Sequence, residues 1–250
     1  MNRMDRREIV ECNDLAALSL RAAEHFTALA RARVTESGRF TVALAGGSTP
    51  RSLYALLATA AYRERVPWAA THLFFGDERC VAPDHPESNF RMVKEALLDH
   101  VPIPGGQVHR MQGEDPQPER AAGAYEDELR HFFVTAGDLP PRFDLVLLGL
   151  GADGHTASLF PGAPSLDVDD RLAVAAEPGL EPFVERVTMT IPAGGAPSIG
   201  DAGGPSTGDA GGPSIGNAGG PAVSGAGMAA RSLPPATSGK PGTESPGSAH

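Results

Sequence analysis

The chain changes character at Pro192. Residues 193–250 hold 16 of the 30 glycines and 8 of the 23 prolines, and contain no Phe, Tyr or Trp. Three near-identical octads lie within them: PSIGDAGG at 197–204, PSTGDAGG at 205–212 and PSIGNAGG at 213–220. An octad of this kind has no hydrophobic face, so nothing offsets the entropy of ordering it. Residues 193–250 are therefore expected to be a disordered, low-complexity tail and not a solenoid. The globular candidate is residues 1–192, long enough for one substantial core.

Charge narrows the partners. The chain has 31 Asp and Glu against 21 Lys and Arg, a formal net charge of −10, and nearly all of the excess falls before residue 193. Such a body lacks the basic face that nucleic acid or an anionic membrane requires, so neither is expected as a partner. An anionic ligand must then be held by local arginines or backbone amides. Cys12 and Cys80 are far apart and lack metal-ligand spacing, which points to neither a disulfide framework nor a metal site. The first residues have no apolar run of signal-peptide length, and no run approaches 18 residues. The expectation is a soluble, cytoplasmic protein.

Periodicity gives the fold class. After Asn13 or Asp14, apolar residues recur at Leu15, Leu18, Ala22, Phe26 and Leu29 up to Gly38, the pattern of a capped amphipathic helix. FTVALA at 40–45 is too short for a helix and reads as a buried strand, followed by GGST and a helix with Pro50 in its first turn. The order repeats: THLFF at 71–75 as a strand, a polar loop at 76–88, a helix at 88–100, another at 116–137, and the strand FDLVLLGL at 143–150. Shorter runs at 172–176 and 186–191 add two strands. Strands alternating with helices predict an α/β fold with a mostly parallel sheet and helices on both faces. Ligands in such folds bind at the loops leaving the carboxyl ends of the strands.

Three of those loops carry the candidate chemistry. Gly46, Gly47, Ser48 and Thr49 leave the first strand where a helix begins, which suits a phosphate beside free backbone amides; a tight strand-to-helix turn is the alternative. The second loop, 76–91, gathers Asp77, Glu78, Arg79, Asp84, His85, Glu87 and Arg91. Arg79 there either binds an anion or pairs with Asp77 or Glu78. The third loop, GLGADGHTASLFPG at 149–162, brackets Asp153 and His155 with glycines directly after a strand. That places a neutral-pH base where a ligand can approach, with Asp153 to orient it; the alternative is a helix-capping histidine. No phosphate loop of the G-x-x-x-x-G-K-[ST] type and no H-E-x-x-H is present, and G-x-S-x-G occurs only inside the octads, as GPSTG at 204–208 and GPSIG at 212–216, without the strand that a nucleophile elbow follows.

In this order and spacing the three loops resemble the 6-phosphogluconolactonases. The matching segments are ALAGGSTPRSLY at 43–54, FFGDERCVAPDHPESNFRMVKEALL at 74–98, FDLVLLGLGADGHTASLFPG at 143–162 and, less closely, RVTMTIP at 186–192. The resemblance implies a Rossmann-like fold shared with glucosamine-6-phosphate deaminase and ribose-5-phosphate isomerase. It implies hydrolysis of 6-phosphoglucono-δ-lactone to 6-phosphogluconate, with a sugar-phosphate lactone as the small-molecule partner and no cofactor; no metal is expected. By motif, His155 matches the water-activating base and Asp153 its support. Gly46, Gly47, Ser48 and Thr49 match the pocket lining, while Arg79, with Arg51 and Arg91, is expected to hold the anionic end or the developing oxyanion. The deaminases resemble the third loop but carry a glutamate five residues past the histidine, where this chain has Phe160.

The resemblance breaks after RVTMTIP, where the family continues with a helix, further strands and a substrate-binding lysine. Here the octads follow, and the only lysines are Lys94 and Lys240, neither in a matching context. Losing those elements is expected to leave a sheet edge open, with impaired stability or activity. The competing reading is a catalytically impaired sugar-phosphate-binding protein.

Overall fold

The computed structural model describes residues 8–135, 141–179, 181–193 and 227–232. Asp14 caps α1 (Leu15–Ser37) by accepting the Ala17 amide at 2.7 Å, and Gly38 ends it in the left-handed region at φ 79°. The helix buries Ala23, Phe26, Thr27, Ala30 and Arg33, spaced three and four apart, against the first strand. Phe26 meets Phe40 edge to face, with centroids 5.2 Å apart.

The elements then run β1 (Phe40–Leu44), α2 (Ser48–Leu57), α3 (Ala60–Arg63), β2 (Thr71–Phe75), β3 (Asp77–Arg79), α4 (Asn89–Ala96), β4 (Val108–His109), α5 (Pro118–Thr135), β5 (Leu145–Leu150), β6 (Ala173–Ala176), β7 (Arg186–Met189) and β8 (Gly227–Ser232). One sheet has the order β4-β2-β1-β5-β8; the first four strands are parallel and β8 is antiparallel. All five residues of β1 are buried, as a central parallel strand covered on both faces demands.

Two tyrosines finish the strand ends beneath the loops. The Tyr54 hydroxyl donates to the Ala45 carbonyl at 2.8 Å and accepts its amide at 3.1 Å. Tyr125 does the same for Phe75, at 2.9 and 3.0 Å. Each phenol replaces a missing strand neighbour for one residue, so the carboxyl ends of β1 and β2 are satisfied without water. Burial pushes both hydroxyls well above the usual tyrosine range.

Three differences from the sequence reading have physical causes. The polar stretch 76–88 contains β3, three residues with charged side chains that pair because β7 lies alongside. The runs near 173 and 187 join no parallel sheet: β3-β7-β6 is a separate antiparallel sheet. Its connection 177–185 contains Pro178, Gly179 and Pro182, too short and too broken for the helical crossover that parallel strands need. Finally, Gly227–Ser232, from the segment expected to be disordered, pairs with β5 along the edge expected to stand open. The octads themselves lie outside the described residues.

Candidate active site

The loops after β1, β2 and β5 are joined by one chain of buried polar groups. The Asn89 side-chain amide donates to the Asp77 carbonyl at 2.9 Å and to Asp77 Oδ1 at 3.1 Å. Ser158 Oγ donates to the other carboxylate oxygen, Oδ2, at 2.7 Å, and its own amide donates to Thr188 Oγ1 at 3.2 Å. Asp77, Asn89, Ser158 and Thr188 are all buried. Gly46 lies against this frame so closely that a Cβ there would stand 2.1 Å from Asn89 Oδ1. The β1 loop thus requires glycine at Gly46 for approach, and at Gly47 for its φ of 99°.

Beside the frame, Glu78 caps α4. Its carboxylate accepts the amides of Arg79, Asn89 and Phe90, each at 2.7 Å, and the Ser88 hydroxyl at 3.0 Å. Burial raises its pKa, and these bonds oppose the rise. A carboxylate so fully engaged fixes the loop and has no oxygen to spare for a substrate.

The candidate base and its partner lie in the third loop. Asp153 Oδ1 is 2.5 Å from His155 Nδ1 and also accepts the His155 amide at 3.2 Å. The loop closes through Gly151 N–H to the His155 carbonyl at 2.8 Å and Gly154 N–H to the Gly151 carbonyl at 3.0 Å, with Gly154 at φ 88°. A Cβ on Gly151 would sit 2.1 Å from His155 Nδ1, so His155 keeps its place only beside a glycine here. The hydrogen bond to His155 holds the Asp153 carboxyl below the usual carboxylate range. With Nδ1 committed as a donor to that anion, Nε2 is left as the basic nitrogen. The next helical turn, Pro164–Leu166, has Ala163 as its N-cap, so His155 does not act as a cap.

A cationic pair borders it. In the antiparallel register Arg79 is directly opposite Arg186, so the two side chains leave the same face. Arg79 Nη1 donates to the Glu87 carbonyl at 2.7 Å and is paired with the Glu87 carboxylate at 3.9 Å; neither Asp77 nor Glu78 takes its guanidinium. Arg186 is buried, donates to the Pro182 carbonyl at 3.2 Å and lies 5.5 Å over the ring of Phe160. His155 packs on the same Phe160 ring, at 4.7 Å between centroids. Burial, and then the charge of Arg79, lower the pKa of Arg186. Two cations opposed in this way repel each other; Asp77 and Glu87 offset part of the repulsion at Arg186, and an anion received between the two would relieve more of it.

The remaining expected residues are placed as follows. Thr49 is buried and Ser48 exposed at the start of α2, whose N-cap is Gly47 without a side-chain cap bond. Arg51 is exposed on the same helix. Arg91 runs along α4, bonded to Glu95 at 2.7 Å and to the Asp84 carbonyl at 2.9 Å, so its guanidinium is not gathered with the others. Arg186, Phe160, Asn89 and Ser158 were not singled out as site residues from the sequence. Only the RVTMTIP match hinted at Arg186, because its partner is set by strand register. Among the described residues no group of His, Cys, Asp and Glu is arranged to hold a metal ion.

Comparison with known proteins fits this geometry. The family described as glucosamine-6-phosphate isomerases/6-phosphogluconolactonase matches residues 13–194. The chain belongs to this family. Within it, the chain is 48% identical over 159 residues to a 6-phosphogluconolactonase of Synechocystis sp., covering 64% of this chain and 63% of that protein. It is 42% identical to a 6-phosphogluconolactonase of Nostoc sp. over 72% of each. The 6-phosphogluconolactonase from Trypanosoma cruzi superposes with a TM-score of 0.65 at 34% identity, over 74% of this chain and 75% of that one. The chain thus spans somewhat less than two thirds of the Synechocystis relative's length.

Proposed function

We propose that the protein hydrolyses 6-phosphoglucono-δ-lactone to 6-phosphogluconate, in the cytoplasm and without a cofactor. The observation that carries this reading is the Asp153–His155 pair at the end of β5, connected through Phe160 to the Arg79–Arg186 couple.

His155 Nε2 takes a proton from a water whose oxygen attacks the lactone carbonyl carbon. The carbonyl oxygen becomes an oxyanion, and Asp153 steadies the imidazolium formed beside it. As the carbonyl re-forms, the bond from that carbon to the ring oxygen breaks. The ring oxygen leaves as a hydroxyl with the proton returned by His155. Arg79 and Arg186 hold the phosphate or the oxyanion, while Gly46, Gly47, Ser48 and Thr49 line the sugar-phosphate side. Arg51 and Arg91 are less favoured for this role, Arg91 because its partners are Glu95 and Asp84. The deaminase reading is set aside because the position of its ring-opening acid is Phe160, whose ring packs on His155.

The test is turnover of freshly made lactone by the purified full-length chain, against the spontaneous rate. Rates well above background that drop about 10²- to 10⁴-fold in His155→Ala are expected. Background rates from folded protein would leave the sugar-phosphate-binding reading in its place.

A further inference from the structure

β5 carries the reactive loop, and its two flanks are unequally held. On one side, β1 pairs with only its first two residues, Val42 with Leu145 and Ala43 with Val146. On the other, β8 pairs with all six, from Leu145↔Ser232 to Leu150↔Gly227. Over Leu147, Leu148, Gly149 and Leu150, the stretch that runs straight into Gly151, the described strand pairing is with β8 alone.

Sequence explains why this part of the C-terminal segment can serve. The octads place a proline every eight residues, whereas 222–233 contains none and is bounded by Pro221 and Pro234. Only a proline-free stretch can donate a continuous row of amides to a ladder. The contact is through backbone, so it asks for an extended segment without proline and little else.

We propose that the flank of β5 is a strand-acceptor edge, filled by the chain's own residues 227–232, and that its occupancy sets the position of the Asp153–His155 loop. Residues 227–232 act as a positioning element: they stiffen the last four residues of β5 and so fix where Gly151 begins. With the edge empty, the amides and carbonyls of Leu147–Leu150 face water, and the loop they anchor loses its fixed origin. The activity readout rests on the lactonase reading; the edge itself does not.

The test uses the full chain and an Ala229→Pro/Ala230→Pro variant, which removes from β8 whichever of the two adjacent amides faces β5. Hydrogen exchange at Leu147–Leu150 should accelerate at least tenfold in the variant while β1 keeps its protection. Lactone turnover should fall about tenfold in kcat with KM changed less than twofold. A synthetic peptide of residues 225–234, added in excess, should restore both. Unchanged exchange in the variant, or accelerated exchange with unchanged kcat, overturns the proposal. If even the parent chain shows no turnover, the lactonase reading fails, and exchange with and without the peptide still decides whether the edge accepts a strand. Should the proline variant lose its fold altogether, a Leu148→Cys/Ala229→Cys pair decides. A disulfide formed under mild oxidation supports the register, and its failure to form overturns the proposal.

Discussion

The buried frame and the exposed loop of this site are built from the same residue types and do opposite things. Asp77 accepts from Asn89 and Ser158 inside the protein, where every partner is itself buried. Asp153 has one side-chain partner, His155, and keeps 36% of its side-chain surface in solvent, with His155 at 23%. A carboxylate enclosed by satisfied donors orders its surroundings and cannot take part in a reaction cycle without leaving those donors unpaired. A carboxylate at the surface beside one imidazole can change its hydrogen bonding at little cost. The division teaches where to look for chemistry in such a site: among the polar groups that are arranged but not fully spent.

The largest effect expected is on stability, from Asp77→Ala. It strands the Asn89 amide and the Ser158 hydroxyl in the interior, each worth about 1–3 kcal/mol, so urea unfolding should show a loss on the order of 3 kcal/mol or more. Gly151→Ala sharpens the contrast from the loop side. A Cβ 2.1 Å from Nδ1 must displace His155, and kcat should drop about 10²-fold while the urea midpoint scarcely moves. Arg186→Met should raise KM about tenfold in steady-state assays and leave stability equal or higher, since it removes a buried cation opposed to Arg79.

The smallest effect lies far from the loops. His72 Nδ1 is 3.1 Å from His109 Nε2, and His109 Nδ1 is 2.7 Å from Glu128 Oε1, with Gln107 on the remaining nitrogen of His72 and Arg39 nearby. Burial, with the adjacent His109 and Arg39, lowers the His72 pKa from 6.5 to about 4. Between those values the unfolded chain binds more protons than the folded one, so stability is lost as pH falls from about 6.5 towards about 4. In unfolding measurements across that range, His72→Gln should flatten part of the slope.

Much of this was legible in the sequence where local rules govern. Asp14 and Gly38 bound α1 because caps are local, and the apolar runs at 40–45 and 143–150 declared strands by length and content, although the last three residues of β5 are not buried. His155 and Asp153 stood out because glycines at a strand end have few purposes besides backbone approach. What stayed hidden depends on distant partners. The charged triplet Asp77–Arg79 pairs only because β7 is adjacent, and Arg186 becomes half of a cationic couple only through that register. Gly227–Ser232 has little to mark it as a strand, since the edge it pairs with belongs to β5.

The most direct test of the division between frame and loop sets Asp153→Asn beside Ser158→Ala, with kcat and the urea midpoint measured for both. Asp153→Asn should lose about 10²- to 10⁴-fold in kcat at an unchanged midpoint, because the imidazole loses the anion that orients it. Ser158→Ala should lose about 1–3 kcal/mol of stability and keep kcat within a few-fold. An Asp153→Asn protein that turns over lactone as fast as the parent would contradict the account.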